Sequence, residues 1–92
     1  AMQVIHKYSV RHDRTLRMSK AALMLTKNGR ILKVAKQGDD ICWWVISDQH
    51  EVDVEARYFY IIDTDWLVPD GSHYLDTFFD DGLVWHIFEE QQ

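Results

Sequence analysis

Apolar and polar residues alternate with a period of two along most of this chain, and that alternation is cut at short intervals by turn signals. Asn28-Gly29, the run Gln37-Gly38-Asp39-Asp40, Pro69-Asp70-Gly71 and Asp80-Asp81-Gly82 are the interruptions. A period of two suits extended strands with one face buried, and these turn residues suit tight reversals. Residues 3–10 place Val4, His6, Tyr8 and Val10 on one face, opposite Ile5, Lys7 and Ser9. Residues 15–18 read as a short second strand, and residues 30–36 and 41–47 as a hairpin about the turn at 37–40. Residues 50–63 set Val52, Val54, Ala56, Tyr58, Tyr60 and Ile62 against Asp53, Glu55 and Arg57. Phe59 and Ile61 interrupt that polar face, so the second half of this strand is expected to be covered on both sides.

Residues 19–29, "SKAALMLTKNG", are ambiguous. Serine stands where a helix N-cap belongs, the body is Ala, Leu, Met and Lys, and Asn-Gly stands where a helix stops. Residues 22–26 also read as a strand entering an Asn-Gly hairpin. Helix propensity favours a short helix near residues 20–28. The expected fold is mainly β, a small antiparallel meander forming a barrel or a two-layer sandwich, with that helix at one end.

Ninety-two residues suffice for one domain, 1–92, and twelve Phe, Trp and Tyr residues suffice for its core. One proline and four glycines argue against a linker-like chain. Cys42 is the single cysteine, which excludes an internal disulfide and fits a reducing compartment. The sequence shows no secretory leader and no apolar run of ~20 residues, so a cytoplasmic protein without membrane contact is expected.

Charge is unevenly distributed. Residues 1–38 hold nine Lys or Arg against Asp13 alone, and residues 39–92 hold Arg57 alone against fourteen Asp and Glu, within a net charge of −5. Either the two halves lie side by side and neutralise each other, or the molecule is dipolar with an acidic face for a basic partner. An acidic total makes nucleic acid an unlikely ligand.

The most patterned stretch is residues 73–90, "HYLDTFFDDGLVWHIFEE". A three-residue loop Asp80-Asp81-Gly82 would close it with Phe79 opposite Leu83 and Asp76 opposite His86, a polar cross-strand pair. A two-residue turn at Asp81-Gly82 would instead place His86 opposite Thr77. No nucleophile is fixed beside Asp76 and His86 by the sequence, so no catalytic residue is assigned. His12, His50, His73 and the loop aspartates lack metal-ligand spacing, and residues 63–71 lack the third oxygen ligand and closing glutamate of a calcium loop. There is no Gly-rich phosphate loop, and no cofactor is expected. A stacking pocket from Trp43 or Trp44, Tyr58 or Tyr60, and Arg57 would be the basis of a nucleotide binder. Adjacent tryptophans on one strand point to opposite faces, so one of Trp43 and Trp44 is expected at the surface as an interface anchor. Trp66, Leu67 and Val68 are apolar inside a turn-rich segment, and either fold back onto the domain or are presented to a partner.

"RILKVAKQGDDICWWVIS", "EARYFYII" and the closing stretch resemble a small uncharacterised family of phage and prophage proteins. Its members end in a Tyr-Leu-Gly-Thr-Phe element followed by one like Gly-Leu-Val-Trp-His-Val-Phe-Glu. The likeness covers residues 30–62 and 73–90. Asp76 departs from it, standing where the family carries a small residue. The resemblance implies a phage accessory protein that binds a bacterial host protein, in the manner of an anti-CRISPR or other anti-defence inhibitor. It brings no catalytic residues. The expected contact residues are Asp63, Asp65, Trp66, Asp70, Asp80 and Asp81, with Trp43 or Trp44 as apolar anchor. A nucleotide-sequestering protein and a structural homo-oligomer are the alternatives.

Overall fold

The structure, a computed structural model, describes residues 2–91. Seven strands run in the order β1 (Gln3–Arg11), β2 (Met18–Thr26), β3 (Arg30–Gln37), β4 (Asp40–Asp48), β5 (Val54–Asp63), β6 (Ser72–Asp80) and β7 (Leu83–Glu90). They form a three-stranded sheet, β1-β4-β3, and a four-stranded sheet, β2-β5-β7-β6, in which every hydrogen-bonded pair is antiparallel. The two sheets pack as a sandwich. Trp43, Val45, Ile41 and Val34 from the first meet Leu25, Phe59, Ile61, Trp85 and Ile87 from the second, all at most 2% exposed. Trp43 and Phe59 touch across the layers with ring centroids 5.3 Å apart.

Among the described residues there is no helix, and the one expected near residues 20–28 is strand β2. Ala21, Leu23 and Leu25 point inward and Lys20, Ala22 and Met24 outward, a period of two that nine cross-strand partners on β5 turn into a ladder. Intrinsic propensity yields to tertiary pairing here. The short strand expected at residues 15–18 is likewise replaced by a turn leading into β2 at Met18.

Asn28-Gly29 does not close a hairpin. β2 and β3 belong to different sheets, and this turn carries the chain across the sandwich. Asn28 takes a left-handed φ of 62°, which asparagine tolerates better than most residues. A Cβ on Gly29 would lie 2.8 Å from Val45 Cγ1 and 2.9 Å from the Thr26 carbonyl, so only glycine fits the crossing.

The sequence pattern misidentifies the core face of β5. Phe59 and Ile61 point into the sandwich together with Arg57, whereas Tyr58, Tyr60 and Val54 lie on the outer face and Val52 falls outside the strand. An arginine can point inward because Glu89 accepts from both Nε (2.5 Å) and Nη2 (2.7 Å), while Nη1 donates to the Gly29 carbonyl (2.7 Å). Coverage of both faces near the strand's end holds, since Ile61 and Ile62 are both buried.

The final hairpin closes by the two-residue turn. Asp81 (φ 49°) and Gly82 (φ 83°) are both left-handed, as a type I′ turn demands, because that turn matches the strands' twist. Phe79 therefore pairs with Val84 and Thr77 with His86, and a bulge at Leu75 brings Tyr74 back opposite Phe88.

The barrel alternative is not realised. β3 packs beside β6 without a continuous ladder, and on the opposite side β1 and β2 meet through the Tyr8 and Thr26 hydroxyls, 3.5 Å apart. The charge asymmetry resolves as mutual neutralisation. Arg14 and Lys36 grip Asp80, Arg17 pairs with Asp63, Lys20 with Glu90 and Lys33 with Asp76. Each ties the basic N-terminal half to the acidic C-terminal half.

His12 is buried at one end, edge-on to Trp85 at 4.4 Å, and neither ring nitrogen has a hydrogen-bond partner. Burial lowers its pKa below the ordinary 6.5, and nearby Asp80 only partly opposes this. The unfolded chain then binds a proton that the folded one does not, so stability falls as pH drops below about 6.5, above the carboxylate range. Urea unfolding at pH 7.5 and 5.5 should show a lower midpoint at 5.5, and His12→Phe should remove much of the difference. Arg57→Ala should cost on the order of 3–5 kcal/mol by leaving Glu89 buried without its bidentate partner. The double change Arg57→Met with Glu89→Leu should cost clearly less in the same measurement.

Candidate functional site

β5 and β6 run parallel with β7 between them, so residues 64–71 must cross β7 to join the two. They start beside Val84 and end beside Glu90, six residues further along β7. The inner face of the sheet is filled by the core, which leaves the outer face for the crossing. Burial of Ile62, an outer-face residue at 1% exposure, agrees with this path.

This strap is fixed at both ends. Thr64 donates its N–H and its hydroxyl to the Val84 carbonyl, at 3.3 and 3.0 Å. Asp63 pairs with Arg17 Nε at 2.9 Å, and the Arg17 guanidinium lies 4.9 Å from the Trp66 ring. Asp65 takes a left-handed φ of 72°, and Trp66 N–H donates back to the Asp63 carbonyl at 3.2 Å. At the far end Ser72 donates through N–H and Oγ to the Pro69 carbonyl. Between these anchors Trp66, Leu67 and Val68 are 44%, 76% and 47% exposed. The segment folds back across β7, as one of the two sequence readings expected, and leaves the triplet partly exposed.

The strap's first anchor contains a threonine–histidine contact that no local pattern announces, because its members are brought together only by the crossing. His86 Nε2 lies 2.9 Å from Thr64 Oγ1, Nδ1 lies 3.0 Å from Thr77 Oγ1, and Tyr74 OH lies 2.7 Å from Thr77 Oγ1. The contacts accommodate a chain in which Tyr74 donates to Thr77, Thr77 to Nδ1, Nε2–H to Thr64, and Thr64 to Val84. In that tautomer His86 is a donor toward Thr64 and not its base. The arrangement holds the strap down.

The expected contact residues separate into different environments. Asp65, Trp66 and Asp70 are exposed on the strap, and Asp81 is exposed at the far hairpin. Asp63 is half-buried and held by Arg17. Asp80 drops out of the set: its side chain is 3% exposed, between Lys36 Nζ at 2.5 Å and Arg14 Nε at 3.0 Å. Trp43 also drops out as an anchor, being fully buried in the core, whereas Trp44 lies half-buried on the opposite, outer face of the three-stranded sheet. The stacking pocket is not assembled. Trp44, the Tyr58 and Tyr60 face, and Arg57 lie on three different sheet faces.

The expected Asp76–His86 pair does not form, because the two-residue turn shifts His86 to Thr77. Asp76 faces β3 instead. Its Oδ2 accepts the Val34 N–H at 2.9 Å and lies 3.1 Å from Lys33 Nζ, and its Oδ1 accepts the Thr77 N–H at 2.9 Å. A carboxylate thus bridges the β3–β6 seam where two strands lie side by side without a backbone ladder. Burial pushes its pKa up, but the two backbone donors and Lys33 outweigh burial and hold it below the usual aspartate value. Asp76→Ala should destabilise the fold by about 1–3 kcal/mol, since Val34 is fully buried and its N–H loses its acceptor. Asp76→Asn, which keeps one oxygen acceptor, should lose less in urea unfolding.

Among the described residues no three His, Cys, Asp or Glu side chains converge as a metal site, and no helix is long and apolar enough to cross a membrane. No curated protein and no solved structure shows significant similarity to the chain. A family model does match, over residues 2–92, and the chain belongs to that family, described as a domain of unknown function, DUF7352.

Proposed function

We propose that the protein is a non-enzymatic binding module that docks on another protein through the strap, residues 64–71. The observation that carries this reading is the exposed Trp66-Leu67-Val68 triplet, held on a segment anchored at both ends. Leaving three large apolar side chains in water is unfavourable by itself, and rigid anchoring lowers the entropy cost of placing them in a partner. Asp65 and Asp70 bracket the triplet and favour a partner with basic groups around an apolar pocket. Asp63 and Asp80 contribute no charge to that surface, because each is already paired within the fold. The acidic contact set expected from sequence is thereby narrowed to the strap.

The resemblance to phage and prophage proteins supports a bacterial host protein as the partner, met in the host cytoplasm, with inhibition of a defence effector as the outcome. Nothing in the geometry favours the nucleotide reading, whose residues lie on separate faces.

A photoreactive side chain placed at position 67 should crosslink a bacterial protein in cells, whereas one at position 7, on the outer face of the other sheet, should not. Equal crosslinking from both positions would count against the strap as the docking site. Asp65→Asn with Asp70→Asn should weaken the complex, and more so at low than at high ionic strength.

A further inference from the structure

The ion pairs that join the two halves of the chain do not consume every cation of the N-terminal half. Among the described residues Lys7, Arg11 and Arg30 are exposed and enter no ion pair. All three lie on the outer face of the three-stranded sheet. Register fixes this: Arg30 stands opposite Ile46, Lys7 opposite Trp44 and Arg11 opposite Asp40. Those three residues of β4 share the face that points away from the buried Ile41, Trp43 and Val45. Half-buried Trp44 thus sits between Lys7 on β1 and Lys33 on β3, with Arg30 in the next row of the sheet. Across the three strands Arg30, Trp44, Lys7 and Arg11 form a diagonal stripe, roughly 20 Å long at the usual strand rise and spacing.

The Lys7 ammonium is positioned without being neutralised. It donates across β4 to the Gln37 side-chain oxygen at 2.8 Å, and an amide acceptor leaves its charge intact and its other donors free. Lys33 differs, since Asp76 meets its charge at the seam. Carboxylates reach this face only at its ends: Asp40 beside Arg11, and Asp48, whose Oδ1 accepts the His50 N–H. The net charge of −5 is set elsewhere, as the nine Asp and Glu from Glu55 to Glu90 belong to β5, β6, β7 and their connections.

We propose that this face binds single-stranded nucleic acid, one base stacking on Trp44 while neighbouring phosphates pair with Lys7, Arg11 and Arg30. An aromatic ring on an open sheet face, flanked by unneutralised cations, meets both needs of a ligand with planar bases and an anionic backbone. An acidic peptide would use the cations and leave the indole without a planar partner. A duplex keeps its bases stacked on one another and offers mainly phosphates. Exposed Ile5, opposite Ile46 in the row next to Trp44, adds apolar contact for a sugar. With one ring and three cations the stripe holds about three nucleotides, which makes binding weak and sensitive to salt. The strap lies on the outer face of the other sheet, so this surface is separate from it.

Anisotropy of a fluorescent ten-nucleotide oligothymidylate or oligouridylate, titrated with the full chain, should show a Kd of roughly 10–100 μM at low salt. The logarithm of the affinity should fall with the logarithm of salt concentration at a slope of about −2, as three phosphate contacts on a single strand require. Lys7→Glu and Arg30→Glu, both exposed, should each weaken binding about tenfold. Trp44→Leu should weaken it about fivefold or more, and Trp44→Phe, which keeps a ring, should retain most of it. Leu67→Asp on the strap should leave it unchanged, and an unaltered thermal midpoint checks that each variant is folded. No binding at millimolar protein overturns the proposal, and so does binding that survives Lys7→Glu, Arg30→Glu or Trp44→Leu. Polyglutamate that competes as well as the oligonucleotide, or a duplex of equal length that binds as tightly, would also reject it.

Discussion

The buried bidentate pair between Arg57 and Glu89 is the contact on which the arrangement of this sandwich turns. It lies on the inner faces of β5 and β7, and the third arginine donor reaches the Gly29 carbonyl in the crossing between sheets. A guanidinium with its donors satisfied can point toward a core; an unpaired one cannot. Fixing Arg57 inward fixes Phe59 and Ile61 inward by the two-residue period, and so sends Tyr58 and Tyr60 outward. Glu89 does the same for Ile87 and Trp85 on β7. One ion pair thereby sets which side of the four-stranded sheet becomes core. It also pins the turn that separates the two sheets.

The exposed apolar surface follows from that choice. With the more uniformly apolar face of β5 turned outward, the outer side of the sheet retains tyrosines, Val54 and, across the ladder, Met24. The strap then arises from topology. Two parallel strands separated by a third cannot be joined by a tight turn, so residues 64–71 must lie across β7. Arg17, Val84 and His86 hold it there, which turns a connection into a presented surface. Arg14 and Lys36 pair with Asp80, Lys20 with Glu90 and Lys33 with Asp76, which ties the basic half of the chain to the acidic half.

Much of the fold was legible in the residues. The β3–β4 hairpin, the extended character of β1 and β5, and the two-layer option all follow from alternation and turn chemistry. Where reading failed, a longer-range contact decided the outcome. The Ala-Leu-Met run of β2 has helical propensity, but β5 offers it a full set of cross-strand partners. The closing hairpin could take either of two loops, and the choice of Asp81-Gly82 separated Asp76 from His86. That shift freed Asp76 to bridge β3, a role no local pattern announces. Thr64 and His86 meet only because the strap crosses between them.

The sequence by itself determined a mainly β fold and most of the places where its strands are interrupted, because period and turn chemistry are local properties of the chain. It also determined that Trp43 and Trp44 must point to opposite faces. Tertiary structure alone decided which tryptophan is buried, which face of β5 is core, where the aspartates find their partners, and that Trp66, Leu67 and Val68 stand in the open. Those outcomes depend on which distant groups satisfy a buried charge or backbone donor. Burial is the property of an assembled pair of sheets, and no strand carries it alone.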